Sequence, residues 1–251
     1  MDLRESIEYF HLLFSQRLAG KVDKSLFCLK GGCNLRFYFH SIRYSEDIDF
    51  DAHTISVQTL KKNVEKILDD KGFASILKHQ DIEVVDHSAP KQTETTQRWK
   101  VALRIGSQTL PVPTKIEFSR RKTSLKGETV PIRPEMTHHY KLQSFVMQHY
   151  PLKEAILQKF DALIHRTETQ SRDVVDLKIL IGQMPDAKLE MSKDEIAKSL
   201  DTIKSISFDD FKSQTWPYLI NDFQSQYDNQ KSWKQIQEEV CTYIKTRCGK
   251  K

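Results

Sequence analysis

"LKGGCNLRFYFHSIRYSEDIDFD", residues 29–51, is the stretch from which the rest of this chain is read. Two adjacent glycines, Gly31 and Gly32, stand before a run with helical character. That run returns to an alternation of acids, Asp47, Asp49 and Asp51, around Ile48 and Phe50. In an extended strand, side chains two apart share a face, with Cα atoms roughly 6.5–7 Å apart. Asp47 and Asp49 therefore point the same way, while Ile48 and Phe50 anchor the opposite face. Carboxylates held that close repel unless a positive charge sits among them, and a hard dication that prefers oxygen ligands suits the place. The glycines offer the complementary half. Without a Cβ, the backbone N–H groups can approach a phosphate closely, and a helix N-terminus adds partial positive charge. Either signal alone is common in surface turns; the order and close spacing of the two give them weight.

The bulk composition agrees with a globular protein. The 251 residues are 38% hydrophobic and 29% charged, enough for one large or two small domains. The formal charge of +5 is compatible with a polyanionic partner without requiring one. Cys28, Cys33, Cys241 and Cys248 form no Cys-x-x-Cys pair and no zinc spacing, which reads as reduced thiols. The opening "MDLRESIEYFHLLF" reads as an amphipathic helix rather than a signal peptide, and no apolar run approaches the roughly 20 residues of a membrane span. The expected setting is the cytoplasm, with no membrane partner.

Leu3, Ile7, Phe10 and Phe14 recur at helical spacing and predict a helix over 2–19. A short strand over 25–30, a helix from 33 to about 41 and a strand over 47–51 follow. Ser56 is the expected N-cap of a helix through Asp70, closed by Gly72. Residues 81–118 are rich in β-branched and aromatic side chains and predict strands, with Gly106-Ser107 as a hairpin turn. "PIRPEM" reads as a connection, and helices resume at Pro151, the last ending near Arg247. The expected class is α+β: a mixed or antiparallel sheet flanked by helices over 1–135, then a mainly helical domain over 136–251 that contributes to the active site.

With these residues in view, the chain resembles the AbiEii/AbiGii toxins of the DNA polymerase β-like nucleotidyltransferase superfamily. Lys30, Gly31, Gly32, Leu35, Arg36, Arg43, Ser45, Asp47, Ile48, Asp49 and Phe50 match the family's first motif; Cys33 stands where a threonine or serine is usual. "TKIEF" supplies a second motif in Lys115 and Glu117, two apart and so on one face. Lys159 occupies the place of the third, in "PLKEAILQKFDALIHR", and "SRDVVDLKIL" gives the fourth in Arg172, Asp173, Asp176 and Leu177.

The resemblance implies transfer of a nucleoside monophosphate from an NTP with release of pyrophosphate. Asp47, Asp49 and Glu117 would be the Mg2+ or Mn2+ ligands, and Lys159 would complete the catalytic set. Gly31, Gly32, Arg43, Ser45, Lys115, Arg172, Asp173 and Asp176 would serve nucleotide binding. Each has a bland alternative: Lys115 and Glu117 as a surface pair, Lys159 as an exposed helical lysine, Asp173 as a helix cap, Asp176 as a partner of Arg172, and Arg36 or Arg43 as a partner of Glu46. An RNA acceptor such as tRNA suits the basic run "SRRKTSLKG" at 119–127, although a protein acceptor and a solvated basic loop stay open. The resemblance also implies a toxin–antitoxin or abortive-infection setting with a separate antitoxin protein. Two other readings compete: a non-catalytic nucleotide- or RNA-binding module on the same fold, and a metal-dependent nuclease.

Overall fold

The computed structural model describes residues 1–122 and 124–249. Helix α1 (Leu3–Lys21) starts at a reciprocal cap, in which Asp2 accepts from the Glu5 backbone N–H and Glu5 accepts from that of Asp2. After a 3-10 turn come strand β1 (Phe27–Lys30), helix α2 (Gly31–Tyr38) and strand β2 (Ile48–Ala52). The two glycines thus form the first turn of α2 itself rather than a loop ahead of it. The helix is also shorter than the sequence predicts, stopping at Tyr38.

Ser56 caps α3 (Val57–Leu68) as its spacing predicts, accepting from the Thr59 N–H at 3.0 Å. Gly72 does not close that helix. The Asp70 carboxylate accepts from the Phe73 N–H at 2.7 Å and so caps a second helix, α4 (Lys71–Lys78), which contains Gly72. Strands β3 (Ile82–Gln92), β4 (Thr96–Ile105) and β5 (Val112–Ser119) follow, with the β4–β5 turn at Gly106, where φ is +54°. The proline-bearing stretch read as a connection begins at the last residue of a short strand, β6 (Glu128–Pro131), and runs into a helix, α5 (Pro134–His139). Strand β7 (Val146–His149) comes next.

Among the described residues, seven strands form one mixed sheet in the order β3-β4-β5-β2-β1-β7-β6. Strand β2 runs antiparallel to β1 and parallel to β5, which places the acid-bearing strand at the centre. One face of the sheet is core. Phe50 stacks on Phe118 with ring centroids 4.8 Å apart, and Phe14, Phe27 and Trp99 meet this pair edge-on or tilted. Full burial of such aromatic side chains stabilises by about 1.5–3 kcal/mol each, which fixes the register of β2 and sends Asp47, Asp49 and Asp51 to the opposite face.

The chain divides into two units: Met1–Tyr38 with Tyr44–Tyr150, and Phe39–Arg43 with Pro151–Lys251. The sequence places its boundary near 135, but pairing of β7 with β1 and β6 keeps the chain in the first unit through Tyr150. The second unit holds α6 (Leu152–His165), α7 (Ser171–Gln183), α8 (Lys193–Ser205), α9 (Phe208–Gln214), α10 (Asn221–Gln226) and α11 (Gln230–Arg247). Its core includes Trp233, stacked on Phe211 at 4.8 Å. The excursion Phe39–Arg43 belongs here because the Ile42 carbonyl accepts from the Ile220 N–H, the Phe39 carbonyl accepts from Gln183, and Arg43 bridges to Leu219. Among the described residues, no helix is long and apolar enough to cross a membrane.

Candidate active site

Strand register assembles the first half of the site. Lys30 of β1 lies opposite Asp49 of β2, Asp49 beside Glu117 of β5, and Glu117 opposite Arg98 of β4. These four residues make one row across four strands on the face turned away from the aromatic core. Asp47 precedes β2 by one residue and shares the face of Asp49.

Gly31 closes on this row. It has φ of +66°, and a Cβ added there would lie 3.0 Å from Asp49 Oδ2. Only glycine takes that backbone conformation without strain, and only glycine leaves the space over the Asp49 oxygen free. Gly31→Ala should therefore lower stability by about 1–2 kcal/mol and displace Asp49. Urea unfolding reads the first effect, and loss of activity in the folded variant reads the second.

The acids are not equivalent. Burial pushes the Asp49 carboxyl up, Lys30 opposes the shift, and the charges of Asp47 and Glu117 reinforce it. Asp47 pairs with Lys115 at 2.7 Å, and Glu117 pairs with Arg98 at 2.7 Å. The Lys115–Glu117 surface pair considered from the sequence is thus replaced by two separate ion pairs, one holding Glu117 of the row and the other Asp47 alongside it. Asp51, left without a role by the sequence, is buried and held from two sides. Lys30 Nζ lies 2.5 Å from its Oδ1, and the Tyr150 hydroxyl donates to its Oδ2 at 2.6 Å. Among the described residues, no three His, Cys, Asp or Glu groups converge as a ready metal-binding set. In donor chemistry the three acids nevertheless fit a hard dication. All offer carboxylate oxygens: Asp49 and Glu117 stand in adjacent register, Asp47 is tied to Lys115 of the same β5 face, and Gly31 keeps the space beside Asp49 open.

A buried support lies behind Asp47. Thr114 donates to the Glu46 carbonyl at 2.7 Å, so its hydroxyl oxygen accepts from His11 Nε2, also at 2.7 Å. Cys33 Sγ lies 3.6 Å from His11 Nδ1 and 3.4 Å from the Asp47 carbonyl, to which Ser45 also donates at 2.8 Å. Burial lowers the His11 pKa to about 3, so the ring is neutral and can hold this hydrogen-bond pattern across the physiological range. Cys33, considered for its difference from a phosphate-binding hydroxyl, is buried and faces Asp47 and His11. Burial raises its thiol well above the ordinary range, which makes it a packing group rather than a reactive thiolate.

The other sequence candidates lie in the second unit or in its supports. On α6 and α7, Lys159 Nζ sits between Asp173 Oδ1 at 3.0 Å and Asp176 Oδ2 at 2.7 Å. Arg43 grips Asp176 with two bonds, 2.8 and 2.6 Å, and Arg166 reaches Asp173 at 2.9 Å. Both acids are fully buried and Lys159 nearly so, which rules out the reading of Lys159 as an exposed helical lysine. Burial would raise the Asp176 pKa, but Arg43 and Lys159 prevail and hold it at about 2. In the first unit, Arg36 is bidentate to Glu8 at 2.6 and 3.2 Å, with Tyr140 donating to the same carboxylate. Of the basic run, Arg120 is drawn inward to Gln97 and the Ile55 carbonyl, while Arg121, Lys122 and Lys126 are exposed. Thr123 of that run lies outside the described residues.

Arg98, His11 and Tyr150 escaped the sequence reading. The alternation Trp99, Val101, Leu103, Ile105 marks Arg98 as a residue of the solvent-facing side, but its place opposite Glu117 follows from register alone.

Comparison with known proteins agrees with the strand arrangement. Solved structures similar to this chain include JHP933 from Helicobacter pylori, with a TM-score of 0.63 and 18% identity over 98% of this chain and 94% of that one. A second H. pylori protein, described as a candidate nucleotidyltransferase, gives a TM-score of 0.65 and 19% identity over 98% and 97% of the two chains. At such identities the likeness speaks to the fold, which is of the nucleotidyltransferase type. No curated protein matches the sequence. The family described as "Nucleotidyl transferase AbiEii toxin, Type IV TA system" matches residues 12–239. With that match spanning nearly the whole chain, the protein belongs to the AbiEii toxin family and is a nucleotidyltransferase.

Proposed function

We propose that this chain transfers a nucleoside monophosphate from an NTP to an RNA acceptor, tRNA foremost, with release of pyrophosphate. The observation that carries the reading is the row Lys30–Asp49–Glu117–Arg98, with Asp47 alongside and Gly31 held against Asp49. Nucleotidyltransferases of this family generally use a divalent metal. Asp47, Asp49 and Glu117 would hold Mg2+ or Mn2+, which when bound supplies charge neutralisation at the triphosphate and orientation of the reacting oxygens.

The remaining steps fall to side chains and backbone. The N–H groups of the first α2 turn, at Gly31 and Gly32, would bind the β- and γ-phosphates. Glu117 would orient or deprotonate the attacking hydroxyl. In-line displacement at the α-phosphate then forms the new P–O bond and breaks the bond to the pyrophosphate oxygen. The Ser45 hydroxyl donates its one proton to the Asp47 carbonyl, so its part would be to fix the acid-bearing turn, with its oxygen left to act only as an acceptor. Asp173 and Asp176 would position Lys159, whose ammonium would neutralise phosphate charge in the resemblance-based role; Arg43 secures Asp176. Arg172 is kept as a nucleotide-binding candidate on the resemblance alone.

A type IV family implies a cognate antitoxin, and we extend this to a phage-defence setting in the cytoplasm. The test is a screen of the four α-labelled NTPs against total cellular RNA. Label should enter RNA from one or two NTPs and vanish when EDTA is added. Nucleotide binding without label transfer, across all four NTPs, would instead support the non-catalytic binding module.

A further inference from the structure

Strand register produces an arrangement that folding alone does not favour. On the face that carries the acids, Lys91 of β3 lies directly opposite Arg98 of β4, and Lys100 of β4 directly opposite Lys115 of β5. Like charges directly opposite across a sheet are destabilising. Here two such pairs are neighbours, two residues apart along β4. Arg98 and Lys115 relieve part of the strain by pairing with Glu117 and Asp47. Lys91 and Lys100 are exposed, and among the described residues no carboxylate pairs with either.

We propose that Arg98 and Lys115 are placeholder cations on the metal-binding carboxylates, and that metal binding frees them to join Lys91 and Lys100 as a docking strip for a nucleic-acid phosphate backbone. The proposal rests on the reading of Asp47, Asp49 and Glu117 as metal ligands.

The exchange is balanced in charge, since one dication takes the carboxylates that two monocations held. The freed strip then spans β3, β4 and β5, roughly 10 Å across at the usual strand spacing. That is longer than one phosphate group and suits an extended polyanion. Both partners of each placeholder pair are partly solvated, Arg98 at 37% and Glu117 at 29% exposure, Lys115 at 45% and Asp47 at 29%. Such pairs are weak enough for a dication to displace. Coupling of this kind is reciprocal: metal should strengthen polyanion binding, and polyanion should strengthen metal binding by the same factor. The acceptor would be drawn to the site only once the metal is in place.

The test uses the full chain, isothermal titration with Mn2+, and fluorescence anisotropy with a short labelled single-stranded RNA. Mn2+ should raise RNA affinity about fivefold or more, and Asp49→Asn should remove that gain. Lys115→Ala and Arg98→Ala should tighten Mn2+ binding by about two- to fivefold, because a competing cation is gone, while reducing the Mn2+-dependent gain in RNA affinity. Lys91→Ala and Lys100→Ala should leave Mn2+ affinity unchanged. Each should weaken RNA binding and reduce its salt slope by about 0.7–1.

Weaker Mn2+ binding in folded Lys115→Ala or Arg98→Ala would overturn the proposal, as would RNA binding indifferent to Mn2+. A gain seen for an NTP but not for RNA would overturn the assignment of the strip to a backbone. Failure of the wild-type chain to bind Mn2+ at all would overturn the metal site itself, and the first titration separates that result from a loss of coupling alone.

Discussion

Asp49→Asn should abolish nucleotidyl transfer, by about three orders of magnitude or more, without destabilising the protein. The loss follows from the position of Asp49, beside Glu117 in register, on the face of Asp47 and against Gly31. The retained stability follows from the same crowding. Burial and two neighbouring carboxylates raise its carboxyl pKa. An acid whose folded pKa lies above its unfolded value contributes stability below that unfolded value, about 3.9, and the contribution is lost as pH rises through the folded value. Ionised Asp49 is therefore a burden at neutral pH in the absence of metal, and the uncharged isostere removes it. Thermal unfolding at pH 7 should show a midpoint equal to wild type or a few degrees higher. A clear fall in the midpoint would show that Asp49 is held for structure rather than for chemistry.

The opposite signature is expected in the second unit. Asp176→Ala should lower stability by about 3–5 kcal/mol, because it leaves Arg43 and part of the Lys159 charge buried without their carboxylate. Against a typical total of about 5–15 kcal/mol, that is enough to unfold a marginal domain near body temperature. The linkage runs the other way from Asp49. The Asp176 pKa is depressed, to about 2, so its stabilisation is present above the unfolded value of about 3.9 and is lost as pH falls through the folded value. Denaturant unfolding at neutral pH and again below pH 3 should show the gap between wild type and variant narrowing with acid. A gap that stays constant would mean the Arg43–Asp176–Lys159 cluster carries little of the stability.

These two acids show what the sequence could and could not disclose. The period-two alternation of 47–51 placed Ile48 and Phe50 in the core and Asp47 and Asp49 outside, because a strand leaves no other choice. The row itself needed register. Arg98 meets Glu117 across a pairing set by the whole β4–β5 hairpin, and no local pattern carries that information. The strands β6 and β7 were missed for a related reason: four residues each, one ending in Pro131, they carry too short a period to read. Gly72 misled because it resembles a helix stop, whereas the nearby Asp70 is a stronger start signal. In the fourth motif, helical spacing put Asp173 and Asp176 side by side, but Arg43, the partner of Asp176, is 133 residues from it in the chain and visible only in three dimensions.

Paired labelling separates nucleotidyl transfer from other phosphate chemistry. The chain is incubated with total RNA, Mg2+ and the NTP found in the screen, labelled in one reaction at the α-phosphate and in another at the γ-phosphate. Nucleotidyl transfer predicts α-label in RNA and γ-label released as pyrophosphate, with both signals lost in Asp49→Asn. Incorporation of γ-label into RNA, or RNA cleavage in the absence of any NTP, would contradict it.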